Sequence, residues 1–164
     1  RVMASTSVPD VLVNLAAQLR LRPGLVGVAV HLLDFAGALE PETVRFTRVT
    51  MAGAAFLGWG AGPDSLRTIE PLRLAGFVSV TLPGGDNEHA AAALARGGVL
   101  LTEVAQQLRD DPAVGGALGT LAPPYRWRPP LMDRQDWRLG AAERDGAALV
   151  AVQINFSVTW QATS

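Results

Sequence analysis

The chain has 164 residues, 49% hydrophobic and 18% charged, with 17 Gly, 11 Pro and no Cys, which fits one globular domain over residues 1–164 and excludes a disordered tail or a disulfide scaffold. Its formal charge is −1 and all fourteen basic residues are Arg, so the long-range field that draws proteins onto nucleic acid or anionic lipid is missing, as is every Lys-dependent mechanism. The lack of Cys removes thiol nucleophiles, thiolate zinc and iron–sulfur clusters, and a chain this long buries ~70% of its unfolded surface without needing a metal or cross-link.

The N-terminal Arg1-Val2-Met3-Ala4-Ser5-Thr6 carries no apolar signal-peptide stretch, and runs such as Gly24 to Leu33 fall short of the ~20 residues of a membrane helix. The expectation is a soluble protein that is not secreted, has no membrane partner and suits a reducing compartment. Val8, Val11, Leu12, Leu15, Ala16 and Leu19 recur at helical steps, which predicts a short amphipathic helix, with Ser7 as cap and Arg20, Arg22, Pro23 and Gly24 as its basic end and stop. Leu25 to Leu32 then reads as a strand, and Thr43 to Thr50 as a second, half-exposed one after the break at Leu39-Glu40-Pro41-Glu42.

Ala52 to Pro63 has neither helical nor strand period and reads as a Gly- and Ala-rich loop carrying Phe56, Leu57 and Trp59, which either folds back on the core or meets a partner. Thr68 to Leu82 predicts a long strand interrupted at Pro71, ending at Pro83-Gly84-Gly85. From Asp86 as cap to about Asp110, Leu94, Leu101, Val104, Ala105 and Leu108 mark one face of a helix of roughly six turns. Gly97-Gly98 within it points to a closely crossing backbone rather than a break. Asp110-Asp111-Pro112 ends it and restarts a helical turn through Leu118, after which Ala122 to Pro130 is extended.

Arg134 to Ala142 and Ala147 to Trp160 form a hairpin across Arg144-Asp145-Gly146. In the last strand Val150, Val152, Ile154, Phe156, Val158 and Trp160 share one face and Ala151, Gln153, Asn155, Ser157 and Thr159 the other, so one face of the sheet is buried and one is polar. Asn155-Phe156-Ser157 matches a glycosylation tripeptide but lies in strand interior. The fold class is α+β: a mainly antiparallel or mixed sheet with one long and one short helix packed on one face.

No constellation for catalysis emerges. His31 lies in an apolar strand and reads as a packed or edge histidine. His89, beside Glu88 and Asp86, could ligate a metal, but carboxylates at a helix start are explained more simply by capping and the helix dipole. Gly58-Trp59-Gly60-Ala61-Gly62 lacks the spacing and following helix of a dinucleotide loop. Asp133, Asp136 and Asp145 fit a solvated strand edge. The expectation is a protein that is not an enzyme, with no catalytic residue, cofactor or metal. Tyr125-Arg126-Trp127-Arg128, followed by Arg134 and Arg138, concentrates basic and aromatic residues, a composition shared by protein interfaces and nucleic-acid stacking platforms; packing of Trp127 on the sheet accounts for it equally well.

The order of elements and two stretches resemble the tail terminator (tail completion) proteins of long-tailed bacteriophages. Asp86 to Ala117 looks like their long helix, with Gly98-Val99-Leu100-Leu101-Thr102-Glu103-Val104 running into Leu108-Arg109-Asp110-Asp111-Pro112-Ala113-Val114-Gly115-Gly116. Asp145-Gly146-Ala147 to Val158-Thr159-Trp160 is similar to their final strand, and Val11 to Leu19 followed by Arg22-Pro23-Gly24-Leu25-Val26-Gly27 to their leading helix; the loop Ala52 to Pro63 departs from the pattern. The resemblance implies a structural role at the head–tail junction of a virion, assembled in the host cytoplasm. There a ring of this chain, six-fold in the family, caps the tail tube, stops its growth and meets the head connector, while genomic DNA passes through without being read. Its implied partners are further copies of itself, the major tail tube protein and the head-closure or connector protein. Phe56, Leu57 and Trp59, with Tyr125, Arg126, Trp127 and Arg128, are the candidate interface residues. The alternatives are a head-closure or connector protein of the same particle, and a small ligand-binding α+β domain using the Gly-rich loop and His89.

Overall fold

The computed structural model describes residues 8–32, 40–51, 55–59, 66–117 and 131–163. Helix α1 (Val8–Leu21) leads into a 3-10 turn at Pro23–Leu25 and the strands β1 (Ala29–His31), β2 (Glu42–Met51), β3 (Ala55–Trp59) and β4 (Leu66–Pro83). Helix α2 (Asn87–Asp110) and the strands β5 (Leu131–Arg144) and β6 (Ala147–Thr163) complete the described chain. The described strands form one six-stranded sheet of order β1-β2-β4-β6-β5, with β3 alongside the first part of β4. Only β1 and β2 run parallel; the other pairs are antiparallel. The α+β class with a mixed sheet is therefore the observed one.

Alternation along the strands makes the two layers. Val44 and Phe46 of β2, Leu74 and Val78 of β4, and Ile154 and Val158 of β6 are buried on the face over which α2 lies. The helix answers with Ala93, Gly97, Leu100, Leu101, Val104 and Leu108, a stripe at three- and four-residue steps. Leu94 and Ala105, expected in that stripe, flank it half-buried. Helix α1 adds Val11, Leu15, Ala16 and Leu19. Each such Leu or Val contributes roughly 1.5–3 kcal/mol by leaving water.

Polar ties fix the helix layer. The Asp86 side chain caps α2, accepting from the His89 backbone N–H at 2.9 Å. Arg22 donates to Glu103 at 2.5 Å and to Gln107 and Asp110 at 3.0 Å each, joining the end of α1 to α2. Arg96 grips the Glu42 carboxylate through two bonds of 2.9 and 2.7 Å, a bidentate pair between α2 and β2.

Helix α2 runs unbroken through Gly97-Gly98, as the close-packing reading requires. A Cβ on Gly97 would lie 3.1 Å from Ile154 Cδ1 and 3.4 Å from Val152 Cγ1, whereas one on Gly98 would meet Trp137 at an ordinary 3.6 Å. The groups that approach are side chains of β6 and not, as expected, a crossing backbone.

Five further expectations are corrected. The first strand is only Ala29–His31, because Pro23–Leu25 turns as 3-10 helix and the Val28 N–H bonds back to the Leu25 carbonyl. Strand β4 continues through Pro71, where its partner changes: β2 pairs as far as Leu72 and β3 from Ile69. Pro71 therefore pairs only with Gln161 of β6, and its missing N–H interrupts no ladder on the other side. The segment after α2 forms turns over 112–117 rather than helix, because Val114, Gly115 and Gly116 all have positive φ, at 50°, 66° and 84°. The hairpin turn is two residues, Asp145-Gly146, with φ of 52° and 79°, a pairing that suits the twist of the flanking strands. Fifth, the segment read as an aperiodic loop contains β3. Ser7 and the extended reading of Ala122 to Pro130 lie outside the described residues.

Candidate interaction surfaces

The helices cover one face of the sheet and leave the other open. On the open face Arg48, Ala75, Ser157 and Arg134 form one row across β2, β4, β6 and β5. Three strand spacings set the two arginines ~14 Å apart at the row's ends. Small side chains floor the space between them, a trough of about 510 Å³ that Thr50, Arg73, Asp136 and Asn155 also line. The Arg48 and Arg134 side chains make no hydrogen bond or ion pair among the described residues.

The carboxylates in and beside the trough are held apart, each with its own partner. Asp133 accepts from Ser157 Oγ at 2.8 Å and from Arg73 at 3.3 Å. Its partial burial acts to raise the carboxyl, but the Ser157 hydroxyl and the Arg73 guanidinium outweigh this and hold it below the usual aspartate range. Asp136 pairs with Arg138 at 3.2 Å. Asp145 lies in the hairpin turn. The three aspartates noted in the sequence thus form no acid–base pair.

The histidines are likewise engaged locally. His31 sits on the outermost strand β1 and bonds Glu40 at 2.6 Å, the edge position expected of it. His89 bonds the capping Asp86 at 2.5 Å, and the His89 backbone N–H and then its ring hold the Asp86 carboxyl low. Among the described residues, no three His, Asp or Glu side chains converge as metal ligands. No described helix is long and apolar enough to cross a membrane.

Of the predicted interface residues, Phe56, Leu57 and Trp59 belong to β3 and not to a loop. The segment pairs with β4 from Ala55↔Ile69 to Trp59↔Leu66, and a register shift between Phe56 and Gly58 hides the alternation that marks a strand. Tyr125, Arg126, Trp127 and Arg128 lie outside the described residues. Arg134 and Arg138, which follow them, both stand on the open face of β5.

A surface that sequence reasoning missed lies on the other side of β5. Helix α2 lies over β4 and β6, and β5 projects past it, leaving Trp137 42% and Leu139 53% exposed, with Val99 of α2 at 46%. Asp136, Arg138 and Gly140 alternate with these two apolar residues, and β5 opens the final hairpin. An apolar stripe on a terminal hairpin strand was the available signal for a partly uncovered edge.

No protein-family model matches the chain, and no curated protein matches it. Among solved structures the chain is similar to one from the virion of a native gene transfer agent (GTA) particle, with a TM-score of 0.46 and 15% identity, covering 96% of this chain and 99% of that one.

Proposed function

We propose that the protein is a structural, non-enzymatic part of a phage-type particle: a tail terminator whose copies form a ring, six-fold as in the family it resembles. In this reading the ring caps the head-proximal end of the tail tube, stops tube growth and meets the head connector. DNA traverses it unread, in keeping with a net charge of −1, since a strongly basic channel would retain DNA through phosphate contacts.

One observation carries the reading. The two stretches that bear the resemblance, Gly98 to Gly116 and Asp145 to Trp160, form the structural centre of the fold. The first is the second half of α2 with the turn that follows it, docked on α1 by a 2.6 Å bond from Gln18 to Asp111. The second is the strand β6 over which α2 lies.

The test is gold-tag electron microscopy of particles carrying the chain. Label confined to the head–tail junction supports the reading. Label along the tube or on the capsid, or chain left wholly in the soluble fraction, overturns it.

A further inference from the structure

We infer that two free copies of this chain pair through the edge of β5, antiparallel and about a two-fold axis at Trp137. The inference does not rest on the terminator reading; it rests on three properties of that edge. Strand β5 is hydrogen-bonded to β6 on one side and to no other described strand, so its outer N–H and C=O groups form a template for a further strand. Its side chains on the helix side, Trp137 and Leu139, are about half exposed, although large apolar groups at a sheet edge normally find cover.

The third property identifies the occupant. With the two-fold axis at Trp137, residue 137 meets its own copy, 136 meets 138 and 135 meets 139. Trp137 then lies against Trp137 on the helix side, and Leu139 lies against Gln135. On the open face each Asp136 stands opposite the other copy's Arg138, giving two opposite-charge pairs. Moving the axis by one residue destroys the match: at residue 136, Asp136 meets Asp136 and Arg134 meets Arg138, and at residue 138, Arg138 meets Arg138. An axis at residue 135 sets Arg134 opposite Asp136 but parts the two tryptophans, so the Trp137 contact and the charges together select residue 137. Within one chain Asp136 and Arg138 are already neighbours at 3.2 Å, so pairing needs only a change of partner.

The dimensions agree. In such a pair the two α2 helices lie on the same side of a continuous sheet, about four strand spacings or ~19 Å apart. Allowing ~10 Å for the helix diameter leaves a gap of ~9 Å. Two Trp137 rings with the flanking Leu139 side chains fill a gap of that width.

Sedimentation velocity of the full chain over a concentration series tests the inference. The expected result is a reversible equilibrium between the 17.3 kDa chain and twice that mass. Asp136→Arg alone places like charges opposite at both sites and weakens the dimer by about tenfold or more, whereas Asp136→Arg with Arg138→Asp exchanges the signs and returns the affinity to within about threefold of wild type. Both positions are exposed, and unchanged melting curves identify the effect as one on association. A wild-type chain that stays monomeric at all concentrations overturns the inference, as do a ring as the smallest oligomer and a dimer indifferent to both charge variants. Each of these outcomes leaves the particle labelling result untouched.

Discussion

Replacing the adjacent glycines of α2 one at a time separates helix propensity from packing. Each Gly→Ala change in a helix interior gains ~1 kcal/mol from reduced backbone freedom. At Gly98 the new methyl meets the nearest side chain, Trp137, at 3.6 Å, so the gain is kept and Tm rises by ~2–4 °C for a chain of this size. At Gly97 the methyl lies 3.4 Å from Val152 Cγ1 and only 3.1 Å from Ile154 Cδ1, which must give by a few tenths of an ångström in a packed layer. Overpacking of this kind costs ~1–3 kcal/mol, which cancels or reverses the gain, so Gly97→Ala leaves Tm unchanged or lower, and Gly97→Leu lowers it further. Thermal melts followed by circular dichroism at low protein concentration measure the difference. Equal stabilisation by the two alanines would refute the claim that α2 is seated on β6 through Gly97.

Leu100, wholly buried on the sheet side of α2, is expected to cost ~2–5 kcal/mol on change to Ala, read from urea denaturation with an unchanged slope. Arg96→Gln removes the bidentate grip on Glu42; with the Arg96 side chain 34% exposed, the expected loss is ~1 kcal/mol or less, shrinking in high salt. Acid stability follows from three carboxyls held below the ordinary value of 3.8: Asp86 by the His89 backbone N–H, Asp110 by the Gln106 amide and then Arg22, and Asp133 by Ser157 and Arg73 against its partial burial. Groups depressed in the folded state stabilise it fully above their unfolded values and lose that contribution as pH falls through the folded ones. Tm is therefore expected to hold above about pH 5 and to fall below about pH 4, less steeply in Asp133→Asn; a Tm that rises on acidification would contradict the assignment.

Elements whose own periodicity is complete were legible in the sequence. Strand β6 alternates without a fault from Val150 to Val158, and α2 combines a capping Asp86 with a stripe of apolar residues, so local pattern and tertiary role coincide. Where the two diverge, the sequence was silent. Phe56 and Leu57 lie at a register shift, and the irregularity that disguises β3 is visible only in its pairing with β4. Pro71 reads as an interruption until the change of partner from β2 to β3 is known. Trp137 and Leu139 read as ordinary strand residues because their exposure depends on how far α2 reaches across the sheet, which no period in β5 records.

The same reach of α2 bears on how copies of this chain would associate. An edge strand with half-exposed apolar residues invites pairing, and nature commonly protects such edges with charge, bulges or a covering element. Strand β5 has a register shift between Met132 and Arg134 and charged residues on its open face, but neither shields Trp137. A head-to-tail partner at this edge would leave each added copy with another open edge, so growth stops only if a ring closes. Pairing of β5 with itself about Trp137 consumes both β5 edges at once and leaves none at that margin for a further copy. In the proposed pair, Trp137 and the flanking Asp136 and Arg138 act together: the charges disfavour a one-residue slip and the tryptophan contact a two-residue slip.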